Sequence, residues 1–432
     1  MDIEKPSPQR VLIVSPNFAP INAPDIHRVR MALPYFEDCG WVPTILMVDE
    51  KYVPGFVDPM LTESLPTFVE VIKIKAIPQK VGKIFGLGDV ALRSLFYYYQ
   101  AVKTLLSDRH FDLIFFSTSQ HNICCLGRYW WKKYQIPFVI DLQDPWRNDF
   151  HLQTERYRDS LKHRLSYKLK KYLEAFTLPN AAGLVAVSQP YINDVKSRYP
   201  SIKKIPAKTI PFGASLRDLE FAKNTTFSPV YLKESEKIVS VLYMGAVTEH
   251  FMPVIQKFFE ALLNNNEDFE KYQFSFVGTS YSLEPRASLI ADLAKSLELE
   301  AYITESPARL PYFQSLSTLM SADVLFVPGA TDKDYNASKI YNNVLSGTPI
   351  FSIFHENSLV VDEIRENNSG VCVTFDEISS LSEFHIFSAW QQFIEEWKVR
   401  KTHSPKPFAH EIANQTKKLC KLFDDSIRIS SI

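Results

Sequence analysis

Side chains able to do chemistry gather at a few places along the sequence. His27 and Arg28, with Arg30 close behind, open a predicted helix that starts near Asp25 and runs to Gly40, and they place cationic side chains near the helix start. Arg30 could equally belong to a solvated face. His121 follows the strand-like run Phe115-Phe116-Ser117-Thr118, where an imidazole can take or give a proton, although a lone histidine also serves as a structural residue. Asp144 precedes Pro145, which ends a strand, so its carboxylate could orient a hydroxyl or cap a helix. Asp141 lies three positions earlier and points to the other strand face, so the two do not form a working pair. In the second half, Tyr243-Met244-Gly245 ends a strand and leads into Thr248 and Glu249, and Phe276-Val277-Gly278 repeats the pattern. A helix predicted from Ser338 to Gly347 would turn free N–H groups and Lys339 toward an anion, with Asn342 one turn on. An ordinary capped helix with a solvated lysine fits the same residues. Asp332 and Asp334 spell D-x-D, too short a pattern to indicate a metal, and none is expected.

These residues need rigid elements to position them. Short β-branched and aromatic runs alternate with longer stretches of helical period, as in parallel sheets with crossover helices. The first half supplies strands at 11–15, 44–48, 69–75, 112–118, 138–144 and 183–188; the second restarts at 238–245, 272–278, 301–305, 322–329, 349–354 and 370–375. Two α/β domains follow, with the proline-bearing stretch 206–236 as linker. Helices are expected at 384–399 and about 408–424. The segment 151–175 carries seven Lys or Arg against three acidic residues, interleaved with Leu and Tyr. Such a basic amphipathic helix suits an anionic membrane surface, or simply a charge-rich solvated face.

Composition limits what these elements can serve. With 46% hydrophobic and 22% charged residues the chain is neither disordered nor collagen-like. A net charge of -1 offers no global field for nucleic acid, which is not expected as a partner. No apolar run is long enough to span a bilayer, and MDIEKPSPQR lacks a signal core, so the expected location is cytoplasmic, with the basic helix allowing a peripheral position at the inner face of a membrane. The five cysteines form no C-x-x-C pair, which suits reduced thiols. With 13 glycines, no G-x-G-x-x-G or P-loop pattern occurs.

The order of Gly40-Trp41-Val42-Pro43-Thr44, Ile136 to Asp141 running into Asp144-Pro145-Trp146, Ala186-Val187-Ser188, Tyr243-Met244-Gly245, Phe276-Val277-Gly278, Ala322-Asp323-Val324, Ser338-Lys339-Ile340-Tyr341 and Gly347-Thr348-Pro349-Ile350 resembles the retaining nucleotide-sugar glycosyltransferases of family four. The resemblance implies an α/β GT-B fold: an N-terminal acceptor-side Rossmann-like domain over 1–215, a donor domain over 216–400, and a C-terminal helix, 401–432, returning to the first domain. It implies transfer of a sugar from a nucleotide diphosphate sugar to a glycan or lipid-linked acceptor in surface polysaccharide biosynthesis, without a cofactor. The donor would meet Gly245, Thr248, Glu249, Ser338, Lys339 and Asn342, the acceptor His27 and Arg28, and the reacting centre His121 and Asp144. Members usually carry a glutamate where Asn342 stands, and many carry diphosphate-binding Arg and Lys with no clear match near Gly245 or Gly278, which shifts that burden onto Lys339. A nucleotide-sugar 2-epimerase of the same fold and a non-catalytic sugar-binding relative are the alternative expectations.

Overall fold

A computed structural model describes residues 8–147, 149, 160–228, 230, 235, 237–280, 288–331, 337–399 and 409–430. The chain divides into two compact units, Met1–Phe212 with Ile412–Ile432, and Gly213–Glu411.

The first unit is built on a seven-stranded sheet: β1 (Gln9–Val14), β2 (Trp41–Val48), β3 (Glu70–Ile74), β4 (Leu113–Ser117), β5 (Phe138–Leu142), β6 (Gly183–Ala186) and β7 (Ala207–Thr209). Its order is β3-β2-β1-β4-β5-β6-β7 and the pairings are parallel. β4 and β5 are buried along their whole length, which explains why they read as mainly apolar runs, broken only by Ser117 and Asp141, rather than as an alternation. The order reverses between β1 and β4. In a doubly wound sheet that switch point opens a crevice at the carboxyl ends of the strands, which here releases the segments after Val14 and Ser117.

The helix Ile412–Ser430 belongs to this unit. Its Phe423 packs 5.0 Å from Phe115, 5.3 Å from Trp41 and 6.3 Å from Phe36, measured between ring centroids, and Trp41 Nε1 donates to Asp424 Oδ1 at 3.1 Å. Gly183 lets it approach β6, because a Cβ there would collide with Ser426.

The second unit holds a six-stranded parallel sheet: β8 (Val239–Met244), β9 (Tyr272–Val277), β10 (Ile303–Ser306), β11 (Val324–Pro328), β12 (Ile350–His355) and β13 (Gly370–Phe375), in the order β10-β9-β8-β11-β12-β13. Its switch point lies between β8 and β11. Phe258 and Trp390 centre the core at a ring separation of 5.3 Å, with Phe351 5.0 Å from Trp390.

Three local expectations change. The helix foreseen from Asp25 to Gly40 is a 3-10 turn (Pro24–Ile26), a short α-helix (His27–Ala32) and two further 3-10 turns, since Pro34 has no N–H to continue an α-helix. The stretch 206–236, taken as linker, contains β7 and the helix Leu216–Lys223, capped by Ser215 Oγ accepting from Asp218 N at 3.1 Å and anchored by buried Leu219 and Ala222. The helix expected from Ser338 begins at Ile340 and spans seven residues to Ser346.

Candidate functional site

The switch point of the first unit is polar and buried. Asp25, beside the start of the 27–32 helix, accepts from Ser119 N at 3.2 Å, Ser119 Oγ at 3.1 Å, Thr118 Oγ1 at 3.3 Å and Asn17 Nδ2 at 3.2 Å. Burial raises its pKa and these donors pull it back. Asp141, on β5, pairs with Arg28 Nε at 2.7 Å and accepts from Gln143 Nε2 at 2.9 Å and Ser117 Oγ at 3.0 Å. Burial likewise pushes the Asp141 carboxyl up, against the opposing pull of the Arg28 guanidinium. Arg28 also donates to Ile210 O at 2.7 Å and lies 5.2 Å from the centre of the Phe212 ring. The structure thus turns Arg28 inward, with 3% of its side chain exposed, as a tie between the 27–32 helix, β5 and the strand-end at 210. His27 is half-buried, with Nε2 3.3 Å from Asn22 Oδ1 and Nδ1 accepting from Arg30 Nε at 3.4 Å. Neither residue ends in open solvent.

His121 opens the turn after β4. Its ring stacks on Trp146 at 5.8 Å and 23°, and Nε2 is buried with no hydrogen-bond partner. Burial, helped by the positive charge of Lys170, pulls the imidazole down to about 4, while a hydrogen bond to the Asp141 backbone works the other way. At neutral pH the ring is uncharged. His121 and Trp146 line a cavity of about 680 Å³ together with Asp89, Ser119, Asp144 and Lys170. Asp144 is an exposed residue on the wall of this cavity, its carboxyl raised by local desolvation and lowered by Lys170. Along the wall, Trp146 Nε1 donates to Asn122 Oδ1 at 3.4 Å, and Asn122 Nδ2 to Asp89 Oδ2 at 2.6 Å. His121 and Asp144 therefore share one cavity; Asp141 does not line it.

The second switch point has a different character. Gly245 ends β8 with φ +136°, a conformation that side chains rarely adopt, and a Cβ there would lie 2.8 Å from Lys339 Nζ. The ammonium passes over this bare backbone to donate to Tyr243 Oη at 2.6 Å, and it lies 4.2 Å from the centre of the Tyr243 ring and 5.5 Å from that of Phe251. Tyr243 Oη in turn donates to Ala246 O at 2.7 Å. Lys339 keeps part of its surface accessible, yet its ammonium end is desolvated, which pulls its pKa down to about 7. Asn342 is half-buried with Oδ1 unpartnered. Thr248 is half-buried, while Glu249 and Ser338 are exposed. Because the helix behind Lys339 is so short, its dipole is weak, and the lysine carries most of the positive potential. Gly278, the other glycine strand end, has φ +71°, and beside it Thr279 Oγ1 donates to Glu305 Oε1 at 2.5 Å.

The pair Asp332 and Asp334 lies outside the described residues, as does 151–159 of the basic segment. Among the described residues no group of His, Cys, Asp or Glu is arranged to hold a metal ion, and no helix is long and apolar enough to cross a membrane. The five cysteines are free, with Cys124 and Cys420 buried. Sequence reasoning missed Asp25, Gln143 and Trp146 at the first site and the aromatic seat of Lys339 at the second. A buried Asp among Ser and Thr carries no sequence signal, because its partners lie about a hundred residues away.

No family model matches the chain, and no curated sequence matches it. Solved structures do. An α,α-trehalose-phosphate synthase (UDP-forming) from Burkholderia xenovorans, in complex with glucose-6-phosphate, is 13% identical, with TM-score 0.55 over 98% of each chain. The N-terminal domain of a Candida albicans trehalose-6-phosphate phosphatase is 12% identical, with TM-score 0.55 over 96% of this chain and 97% of its own. A glycosyltransferase from Rickettsia africae is 13% identical, with TM-score 0.51 over 98% and 96%. At such identities the likeness concerns architecture, and it agrees with the two strand orders: the chain has the GT-B fold, two parallel-sheet α/β domains.

Proposed function

We propose that the protein is a glycosyltransferase that takes a sugar from a nucleotide diphosphate sugar, with retention, and passes it to a hydroxyl of a glycan or lipid-linked acceptor. The observation that carries this reading is Lys339 Nζ held over the bare backbone of Gly245 at a switch point, a cation seated where no side chain intervenes. Donor binding is assigned to Gly245 and Lys339, with Thr248, Glu249 and Ser338 around them, and the unpartnered Oδ1 of Asn342 accepts from a ribose hydroxyl. The acceptor is assigned to the cavity beside His121. In the transfer, the bond from the anomeric carbon to the diphosphate oxygen breaks, the acceptor oxygen bonds to that carbon, and the acceptor's proton passes to the leaving diphosphate. Lys339 offsets the charge that develops on that leaving group. His121, neutral and with a free lone pair, accepts a hydrogen bond from the acceptor and orients it.

The test is calorimetry with a panel of nucleoside diphosphates, followed by assays for diphosphate release from their sugars with and without acceptors. Micromolar to millimolar affinity for one diphosphate and acceptor-dependent release support the reading. Absence of binding to every diphosphate overturns it.

Two variants sharpen the assignment. His121→Ala should lower turnover about tenfold while leaving donor affinity unchanged, since it removes one hydrogen bond at the acceptor; unchanged turnover would make His121 a packing residue. Gly245→Ala should weaken diphosphate binding several-fold, because the new methyl group displaces the Lys339 ammonium, while Tm shifts by only a few degrees. Equal affinity in Gly245→Ala would place the diphosphate elsewhere.

A further inference from the structure

The cavity beside His121 has an unusual rim. One side is the segment following the helix Gln79–Ile84; the other is a face of the helix Leu161–Thr177, where Leu161, Leu165 and Leu169 recur every fourth residue. Ile84 is 80% exposed, Phe85 73%, Leu161 76% and Leu165 71%. With Val81, Leu169 and Tyr172, these two elements supply seven of the fourteen most exposed large apolar side chains among the described residues. Scattered exposed leucines are ordinary on a protein surface, but three on the wall of one cavity, with Ile84 and Phe85 directly before its Gly86, are not.

Charge decides what fits the cluster. Exposed Lys80 and Lys83 flank Ile84, and exposed Lys162, Arg164, Lys168, Lys170 and Lys171 flank the leucines. Neither 79–88 nor 161–173 contains an Asp or Glu, in a chain whose net charge is -1. A protein partner with an apolar centre would satisfy the leucines yet leave most of these cations unpaired. An anionic bilayer satisfies both, since apolar side chains enter the acyl boundary while lysines remain at the phosphates. The sequence pattern pointed only to the basic helix; the apolar tip at Ile84 and Phe85 comes from the structure.

We infer that the 79–85 and 161–172 elements form a docking surface for an anionic lipid bilayer, with Ile84, Phe85, Leu161 and Leu165 inserted and the lysines paired with headgroups. The inference does not depend on the transferase chemistry, because vesicle binding is measured without nucleotide. The test is co-sedimentation of the full chain with vesicles of phosphatidylcholine alone or with 30% phosphatidylglycerol. Binding to the anionic vesicles should exceed that to neutral ones at least tenfold in 0.1 M salt, and should fall in 0.5 M salt. The double substitution Ile84→Glu, Phe85→Glu should reduce partitioning at least tenfold with Tm unchanged, as both side chains are exposed. Leu161→Glu, on the other wall, should reduce it independently. Equal binding to both vesicle types, no binding at low salt, or wild-type binding by both variants would overturn the inference. So would self-association of the wild type that the Ile84→Glu, Phe85→Glu variant abolishes, because the surface would then be covered by a second copy.

Discussion

Asp141→Ala should cost the N-terminal unit about 3–5 kcal/mol, because it leaves the Arg28 guanidinium buried without its counter-ion. Both partners are almost wholly out of water, at 3% and 0% exposure, and the carboxylate also holds Gln143 and Ser117. Removing it therefore strands the Arg28 guanidinium and the Ser117 hydroxyl, while Gln143 Nε2 keeps its bond to Asp25 O at 3.2 Å. Urea titration should show a lower midpoint, and hydrogen exchange should place the loss in β1, β4 and β5, with the 239–375 strands unaffected. Arg28→Met combined with Asp141→Leu should recover part of the stability, since no charge is left buried, while the bonds to Ser117 Oγ and Ile210 O remain lost. A loss below about 1 kcal/mol in Asp141→Ala would mean that water reaches the guanidinium.

Lys339→Met should weaken nucleoside diphosphate binding by roughly ten- to hundredfold, the worth of one charged hydrogen bond. The wild type should also show a pH dependence that the variant lacks. In the free protein burial holds Lys339 near 7, below the 10.5 of an exposed lysine, so much of the population is uncharged at slightly alkaline pH. A bound diphosphate favours the ammonium and raises its pKa, so binding takes up a proton above about pH 7. Affinity should therefore fall as pH rises from 7 to 9, by up to about tenfold per unit. The same depressed value has a consequence for stability: between about 7 and 10.5 the unfolded chain binds the extra proton, so the free protein becomes more stable as pH rises through that window. Calorimetry in buffers of different ionisation enthalpy would detect the uptake. A flat pH profile with full affinity in Lys339→Met would remove this lysine from the donor site.

The strands were legible because parallel strands covered on both faces must be largely apolar, and runs such as Leu113–Ser117 and Ile350–His355 stand out in any composition. The position of His121 followed from the same logic, since it is the first titratable side chain beyond the end of β4. What stayed hidden depended on distance in the chain. Arg28 offers the sequence a cation near a helix start, and only the fold reveals that Asp141, on another strand, draws it inward. β7 and the 216–223 helix were concealed by Pro206 and Pro211, which speak for an irregular segment unless burial of Leu219 and Ala222 is known. Lys339 was recognisable as a cation, but its contact with Tyr243, 96 residues away, was not.

The helix 412–430 completes the aromatic packing of a sheet whose strands lie before residue 210, with Phe423 meeting Phe36, Trp41 and Phe115. A ribosome making this chain must finish the whole second unit before it delivers that helix. At about 5–20 residues per second, the wait is roughly ten to forty seconds. For that interval three aromatic rings of the nascent first unit lack their Phe423 contact, a surface suited to a chaperone. The second unit, contiguous in sequence, is free to fold as soon as it emerges. The first half to be synthesised is thus the last to be finished.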